Sequence, residues 1–587
     1  MKILFLSHKA SRCGVHEFGL NAAQALKKSA RYSFEYRECA SSHEYLSAIH
    51  EIKPLAVIYN YYVVTMPWLT KKLMAKANLI HIGIMHEVTQ EKADSANDRF
   101  FQYHIGADPT LILRNPIVFK TGRLIPGYES RDISQNIPVI GSFGFGLKGK
   151  GFEKILLTVQ EEFDEAIVKF HIPFAQFGDN AGEQARKIAD HCQSLIKKDG
   201  IKLELSHEFL SKEQILDFLA QNTINVFFYD KYKGRGISSV TDYALAVGRP
   251  IAITQSTMFR HLFSCEPSIC IEDRSLKEII RNGIKPLIPF REEWTEINLI
   301  WDYERIMDKI LYQHQNRDKD HLNPSYKIKG LLQQFLGRQP LNPWVSSTKK
   351  GSAQTSLSLS QQMITSYKPV TLSEKISFNR ILNEQARIQY KETIDKLFEL
   401  NPEMMAHKIP EANVQQAFVF DTVHRFASKY VSPKILCVGS YMDTAVAGLK
   451  AIGYKIDEID PILNYELNEF FHKPSTKLSS YDFVISTSVI EHVKDDETFL
   501  TQISKLLAPG GIAILTCDYK DQYKPGDPIP SVDFRFYTQN DFKKRLTPKL
   551  ENCSLIGTPD WDCPNPDFIY GKYQYTFATL VFEKSKL

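Results

Sequence analysis

His492 stands in the run Ser486-Thr-Ser-Val-Ile-Glu-His-Val493, and imidazole is the side chain that exchanges a proton most readily near neutral pH. Beside an acceptor hydroxyl it would take the proton as a new bond to oxygen forms. Packed in a core it would do no chemistry. Upstream, Val438-Gly439-Ser440-Tyr441-Met442-Asp443 follows an apolar stretch. A glycine where a strand ends lets backbone come close to a ligand. Asp460 follows about 20 residues later, where a carboxylate can accept hydrogen bonds from both hydroxyls of a ribose. Asp457 and Glu458 compete for that role, and a solvated loop acid is the plain alternative.

A second group lies far upstream. Gly141-Ser-Phe-Gly-Phe-Gly-Leu-Lys-Gly-Lys150-Gly151-Phe152 sets Lys148 and Lys150 among glycines. Exposed backbone N–H groups beside an ammonium can cradle a diphosphate, although a basic surface loop reads the same way. Lys233-Gly-Arg235-Gly-Ile-Ser238-Ser239 precedes a helical pattern. Ser238 and Ser239 are its capping candidates, and its start would aim N–H groups at phosphate.

These residues need sheets to hold them. Residues 1–310 alternate short apolar runs with amphipathic stretches, which argues for parallel sheets flanked by helices. The expected strands are Ile3–Ser7, Leu55–Tyr59, Ile80–Met85, Val139–Phe143, Val168–Ile172, Val226–Tyr229 and Pro250–Ile253. Helices are expected at His16–Lys28, Glu153–Phe163, Lys212–Gln221 and Val240–Val247. A polar break at Ser130–Asn136 divides two such sheets. Residues 345–370 are rich in Ser, Thr and Gln and read as a linker. Thr371-Leu-Ser-Glu374 fits a capping box, Phe378 to Phe398 reads as amphipathic helix, and Pro410 starts another helix. Pro509-Gly510-Gly511 is expected as a tight turn before a strand at Ile512–Thr516.

A chain of 587 residues is too long for one ordinary domain. Its net charge of +4 is small for that size and calls for no nucleic acid. Nine scattered cysteines, without a CxxC pair or a zinc-like spacing, fit a reduced cytoplasmic protein with no metal site. The start Met1-Lys-Ile-Leu-Phe-Leu-Ser7 reads as a strand rather than a signal peptide. No apolar run is long enough to span a membrane, so membrane contact would be peripheral. Nothing here sets the oligomeric state.

The order of segments from Lys434 to Tyr519 resembles class I S-adenosylmethionine (SAM)-dependent methyltransferases, over residues 430–585. The resemblance implies SAM as cofactor, held by Gly439, Ser440, Asp443, Asp460, Ser488 and Glu491, with His492 facing the acceptor. Tyr441 and Asp443 stand where the family often has further glycines. The turn is then wider, or Asp443 meets the cofactor's amino group, or binding has been lost. Glu491 would cap the following helix. In Asp533-Phe-Arg-Phe-Tyr-Thr538, Arg535 and Tyr537 would line an acceptor wall or else hold the loop by a salt bridge.

The first half resembles GT-B glycosyltransferases, in particular the retaining, family-4-like group that uses nucleotide sugars. Four segments carry this: Cys13-Gly14-Val-His-Glu-Phe-Gly19, Ile82-Gly-Ile-Met-His86-Glu87, the Lys150 loop, and Lys233 to Gly248. It implies a nucleotide-diphosphate sugar as donor substrate, with Gly14, Lys150, Arg235, Ser238, Ser239 and Asp242 at the donor and His86 near the reacting sugar. Phe145 replaces the family's loop arginine, and its pair of glutamates falls on Arg235 and Tyr243.

The expected fold is α/β: two Rossmann-like lobes followed by a methyltransferase domain of the same general kind. The expected boundaries are 1–135 and 136–325 for the lobes, 326–371 for the linker, 372–430 for a helical lead-in and 431–587 for the methyltransferase domain. The expected function is bifunctional: a sugar is added and then methylated on a small-molecule or glycan substrate, in surface glycan or glycolipid biosynthesis. The other reading keeps the methyltransferase and makes the GT-B half a non-catalytic nucleotide- or glycan-binding module.

Overall fold

The computed structural model describes residues 1–9, 13–129, 137–174, 179, 181–315, 367–372, 377–530 and 533–586. The chain forms two compact units, Met1–Asn316 and Arg317–Leu587.

The first unit holds two parallel sheets. One contains β1 (Lys2–Ser7), β2 (Ser33–Glu38), β3 (Ala56–Tyr59), β4 (Ile80–Met85), β5 (Tyr103–Gly106) and β6 (Val118–Lys120), in the order β2-β1-β3-β4-β5-β6. The other contains β7 (Val139–Phe143), β8 (Ala166–His171), β9 (Ile201–Ser206), β10 (Ile224–Phe227) and β11 (Ile251–Ile253), in the order β11-β10-β7-β8-β9. All seven expected strands are present within two residues at each end. Four went unforeseen. β2 and β9 are sheet edges that pair on one side only, and their half-solvated sequences SFEYRE and IKLELS carry charge on alternate residues. β5 and β6 are simply short.

The long helix Glu296–Gln315 follows the second sheet in sequence but packs on the first. Leu299, Tyr303, Ile306, Met307 and Ile310 join Ile3, Phe5, Ile58 and Ile82 in one core. The expected segment 136–325 therefore gives its last helix back to the first lobe. Where the chain passes between lobes, the outgoing and returning strands touch: Gly122 N donates to Asp302 Oδ2 at 2.8 Å, and Ile125 N to the Trp294 carbonyl at 3.2 Å.

The second unit is one mixed sheet. β12 (Ile435–Val438), β13 (Ile456–Ile459), β14 (Tyr481–Thr487) and β15 (Leu507–Tyr519) are parallel; β16 (Cys553–Leu555), β17 (Phe568–Tyr570) and β18 (Tyr573–Lys584) pair antiparallel. The strand order is β13-β12-β14-β15-β18-β16. Pro509-Gly510-Gly511 lies inside β15 at a register irregularity against β14, so the expected turn is a bulge within a longer strand. Helix Asn413–Ala427 follows a 3₁₀ turn that starts at Pro410, as expected. Its Val414, Phe418, Phe420 and Val423 are fully buried with Cys437, Phe483 and Ile514, so the helical lead-in belongs to the core of the unit. Each such side chain removed from water contributes about 1.5–3 kcal/mol.

Two expectations upstream of this helix change. Ile381 pairs with Ala578 of β18 in an extended segment, and helices begin only at Glu384–Gln389 and Lys391–Leu400. Most of the linker, and part of the capping box at Thr371–Glu374, lie outside the described residues. The linker's end at 367–370 is fixed: Tyr367 Oη and Val370 N both donate to the buried Asp421, at 2.9 and 2.7 Å. All nine cysteines are free thiols, and seven are buried.

Candidate functional site

In each sheet the order of the parallel strands reverses once. The reversal lies between β1 and β3, between β7 and β10, and between β12 and β14. Loops leaving the carboxyl ends of such strand pairs splay apart and leave a crevice, the usual place for a ligand in open α/β sheets. The sequence-marked residues gather at these three points.

In the second unit, β12 pairs Val438 with Ile459 of β13 and Cys437 with Ile485 of β14. Gly439, Asp460 and Ser488 therefore leave neighbouring strands at one edge. Gly439 has φ +82, and a Cβ there would stand 2.4 Å from Val489 Cγ2. Only glycine fits. Met442 takes φ +60 without being glycine, so the turn keeps a left-handed step where the sequence lacks the residue that favours it. Such a step costs on the order of 1–2 kcal/mol. Asp460 ties the turn to β13: its Oδ2 accepts from Tyr441 N at 3.2 Å and its Oδ1 from Ile462 N at 2.7 Å. Burial holds its carboxyl above the usual range. Its competitors are spent elsewhere, Asp457 on Tyr481 Oη at 3.0 Å and Glu458 on Lys450.

Asp443 caps a helix with one oxygen and leaves Oδ2 buried without a hydrogen-bond partner. It is the N-cap of helix Thr444–Ala451, its Oδ1 accepts from Val446 N at 2.9 Å, and it is 4% exposed. Ser440 is equally buried, with Oγ lacking a protein partner. Glu491 caps nothing: the following helix, Asp496–Leu506, is capped by Asp495. Glu491 is instead fully buried, its Oε1 accepts from Ser488 Oγ at 2.6 Å, and burial raises its pKa. Ser488 has φ +56, which turns the chain sharply after β14.

His492 Nδ1 lies 2.9 Å from Asp533 Oδ1, with the imidazole about one-third exposed and Asp533 almost wholly buried. Glu491, Asp533 and Asp518 of β15 form a nest of carboxyls behind this ring, and burial followed by its two acidic neighbours pushes Asp518 well up. Sequence reasoning missed Asp533 and Asp518. The signal for Asp533 was at hand, since it opens the very segment in which attention went to Arg535 and Tyr537. Of the two readings of those residues, the contacts match the one in which they hold the loop. Tyr537 is fully buried, and its Oη donates to Asp496 Oδ2 at 2.9 Å. Arg535 pairs with the same Asp496 at 2.5 Å, and Arg545 completes the knot at 2.8 Å. This knot pins the loop that carries Asp533; it leaves neither residue to line an acceptor wall.

In the first unit, Lys150 lies at the β7/β10 reversal with Nζ 3.9 Å from the centre of the Tyr229 ring. Its loop turns on Gly144, Gly149 and Gly151, all at positive φ, and a Cβ on Gly151 would strike the Phe228 carbonyl at 2.0 Å. Tyr229 Oη is buried without a protein partner. Arg235 is half exposed, and its Nε lies 3.3 Å from Glu87 Oε2, which also accepts from Gly236 N at 2.9 Å. Ser239 occupies the N-cap of helix Val240–Ala246 without a side-chain bond. The Ser238 carbonyl accepts from Thr241 Oγ1 at 3.2 Å, and its N donates to the Met258 carbonyl.

Asp242 is buried and bound twice by Arg123, at 3.1 and 2.5 Å. Asp108 and Arg260 make a second ion pair between the lobes. His86 ends β4 with Nε2 buried and unpartnered, against Phe18 at 5.3 Å. Burial, then His8 and Arg123, push its pKa down to about 4. A cleft of about 750 Å³ lies between the lobes, lined by Gly14, Glu17, Tyr128, Asp242, Tyr243 and Arg291; Lys150, Arg235, Ser238 and His86 are not in its lining.

Residues 406–543 match the family model of a methyltransferase domain. No curated protein matches the chain. Among solved structures, the chain is similar to Anabaena HepE in complex with UDP and glucose, at 12% identity over 52% of this chain and 99% of that one, with a TM-score of 0.40. It is similar to a glycosyltransferase from Rickettsia africae at 9% identity, over 53% of this chain and 98% of that one, with a TM-score of 0.38. It is also similar to the lipopolysaccharide outer core galactosyltransferase WaaB in its apo form, at 10% identity over 53% of this chain and all of the other, with a TM-score of 0.35.

Proposed function

We propose that the chain is a two-part transferase whose C-terminal unit methylates a hydroxyl on a sugar-containing acceptor, with SAM as donor. One observation carries this reading: Gly439, Asp460 and the Ser488–His492 segment leave adjacent strands at a single reversal, inside the stretch that matches a methyltransferase domain. The residues fit the cofactor in three respects. The Gly439 turn leaves a cradle that a Cβ would fill. Asp460 stands at the end of β13, and a carboxylate that holds two backbone N–H groups keeps lone pairs for hydroxyls. Ser440 Oγ is buried without a protein partner.

Bound there, SAM would supply an electrophilic methyl group, with Asp460 placed to accept hydrogen bonds from its ribose. Asp533 Oδ1, 2.9 Å from Nδ1 of His492, would favour the ring with its proton on Nδ1 and its lone pair on Nε2. Nε2 would then be the atom that takes the proton of an acceptor hydroxyl. Much of the rate comes from holding the two reactants in line.

The N-terminal unit is read as binding a nucleotide-diphosphate sugar at the β7/β10 reversal, with Lys150 on the diphosphate. Two roles for it remain distinct. As a glycosyltransferase it would place the neutral imidazole of His86 beside the sugar. As a binding module it would hold a glycan or nucleotide for the methyltransferase. The Arg123–Asp242 bond favours the module, because it consumes the acid on the donor helix.

A thermal-shift panel on the intact chain tests both units. SAM and S-adenosylhomocysteine are expected to raise the melting temperature, and Asp460→Ala to weaken SAM by more than about tenfold. A chain indifferent to both ligands ends the methyltransferase reading. Nucleotide sugars are expected to protect wild type and to lose that effect in Lys150→Ala. Turnover of a nucleotide sugar by the intact chain would exclude the module.

A further inference from the structure

Tyr229 stands just past the end of β10, and Gly144 follows the end of β7 directly. The two strands are parallel and pair Ile224 with Ile140 and Asn225 with Gly141, so the segments that leave them run out side by side. The Tyr229 ring is fixed there. It is 3% exposed, its centre lies 4.8 Å from that of Phe259, and its backbone carbonyl accepts from Thr254 Oγ1 at 2.6 Å. Lys150 Nζ rests 3.9 Å from the ring centre, a cation on the electron-rich face of an aromatic group. Among the described residues the Tyr229 hydroxyl has no hydrogen-bond partner. A buried phenol normally finds one.

The hydroxyl faces the glycine loop. A Cβ built on Gly144 would stand 3.4 Å from Tyr229 Oη. At the far end of the loop, Gly151 lies against the carbonyl of Phe228, the neighbour of Tyr229. Gly151 is also the N-cap of helix Phe152–Glu162 and makes no side-chain cap bond, which leaves the first-turn N–H groups to another acceptor. Between these points the loop is held by its carbonyls: Tyr232 Oη donates to that of Lys148 at 3.2 Å, and Asp230 N to that of Gly149 at 2.9 Å. A phenol donor, an ammonium and an open helix start thus meet in one place, and all three call for an anion. Packing does not explain the hydroxyl. A phenylalanine would fill the same volume against Phe259, would carry Lys150 equally well, and would bury no polar atom.

We infer that Tyr229 Oη donates a hydrogen bond to a phosphate oxygen of the ligand that Lys150 holds. The inference rests on the reading of this reversal as a nucleotide-diphosphate site and adds a second side chain to it. Lys150, seated on the same ring, is ordered before the ligand arrives, which lowers the entropy lost on binding. The hydroxyl also discriminates: a ligand with an anionic oxygen at that point satisfies it, and one that presents apolar surface leaves it unpaired.

Calorimetric titration of the full chain with inorganic pyrophosphate, orthophosphate, UDP, GDP and ADP tests this. Wild type is expected to bind pyrophosphate and at least one of the nucleotides, and to bind orthophosphate more weakly. Tyr229→Phe keeps the ring and is expected to weaken pyrophosphate and nucleotide about tenfold. Without ligand, the same variant is expected to melt no lower than wild type, because the lost hydroxyl had no partner in the protein. Unchanged affinity in Tyr229→Phe overturns the inference and assigns the hydroxyl to a buried water. A clear drop in the melting temperature of the unliganded variant overturns it too, since the hydroxyl then serves the fold. The donor-site reading is judged separately through Lys150→Ala. If that variant loses pyrophosphate and Tyr229→Phe does not weaken it, the reading stands without Tyr229. If wild type binds none of the five, both fall.

Discussion

Asp533 reaches His492 from a loop that Asp496 holds down: Oδ1 of Asp533 lies 2.9 Å from the imidazole Nδ1, while Arg535 and Tyr537, two and four residues on, are both bonded to Asp496. The proposed base and its positioning residue thus come from different parts of the chain, and a second carboxylate, Asp496, holds the loop that joins them. Asp533→Asn is expected to slow methyl transfer to a fixed acceptor extract on the order of 10²-fold and to leave SAM affinity within about twofold. Rates with labelled SAM and calorimetry separate the two. Equal losses in both would mean that Asp533 only supports the fold.

Gly439→Ala adds a methyl group where Val489 Cγ2 already stands 2.4 Å away, at a φ of +82. The expected result is a loss of about 1–3 kcal/mol in stability and no protection by S-adenosylhomocysteine. Val489→Ala in the same chain is expected to recover part of the stability, because the clash goes and the backbone strain stays. Full protection in Gly439→Ala would remove the turn from the cofactor site.

The parts of this site that were legible in the sequence are those built locally. Gly439, Asp460 and the Ser488–His492 segment each follow a strand at a fixed spacing, and a parallel sheet brings strand ends to one edge whatever else the fold does. What escaped depends on contacts between distant residues. Nothing near Asp533 names His492 as its partner, and nothing near Asp242 announces Arg123. Tyr537 stood as a candidate because the family resemblance puts an acceptor wall at its segment; in the structure it is buried, with its ring on Phe542, which in turn packs on Tyr519. The edge strands β2 and β9 hid for a related reason, since charged residues interrupt their apolar runs.

Arg123→Ala strands the buried Asp242 carboxylate and is expected to destabilise the first unit by about 3–5 kcal/mol. Replacing the pair together, as Arg123→Met with Asp242→Leu, is expected to cost far less, because no charge is left without a partner. Urea melts of the three chains measure this. If the single and double variants melt alike, the pair contributes little as a pair.

Buried histidines make the first unit sensitive to acid. Burial lowers His86 and His171 to about 4 and His261 well below its usual value. The unfolded chain then binds more protons than the folded one between about pH 6.5 and 4, so stability falls as pH falls through that window. Each such histidine contributes a slope on the order of 1.4 kcal/mol per pH unit there. The urea midpoint is expected to drop from pH 7 to 4.5, and His171→Gln to flatten the drop. A midpoint that does not move would show these rings protonated in the fold.

The helix Glu296–Gln315 has a mechanical consequence. Because it returns to the first lobe, the peptide chain crosses between the lobes twice, and the two crossings are stitched side by side at Gly122–Asp302 and Ile125–Trp294. Two crossings fastened side by side make one seam. The Arg123–Asp242 bond, from the residue next to Gly122, rivets that seam, and Asp108–Arg260 fastens the lobes a second time.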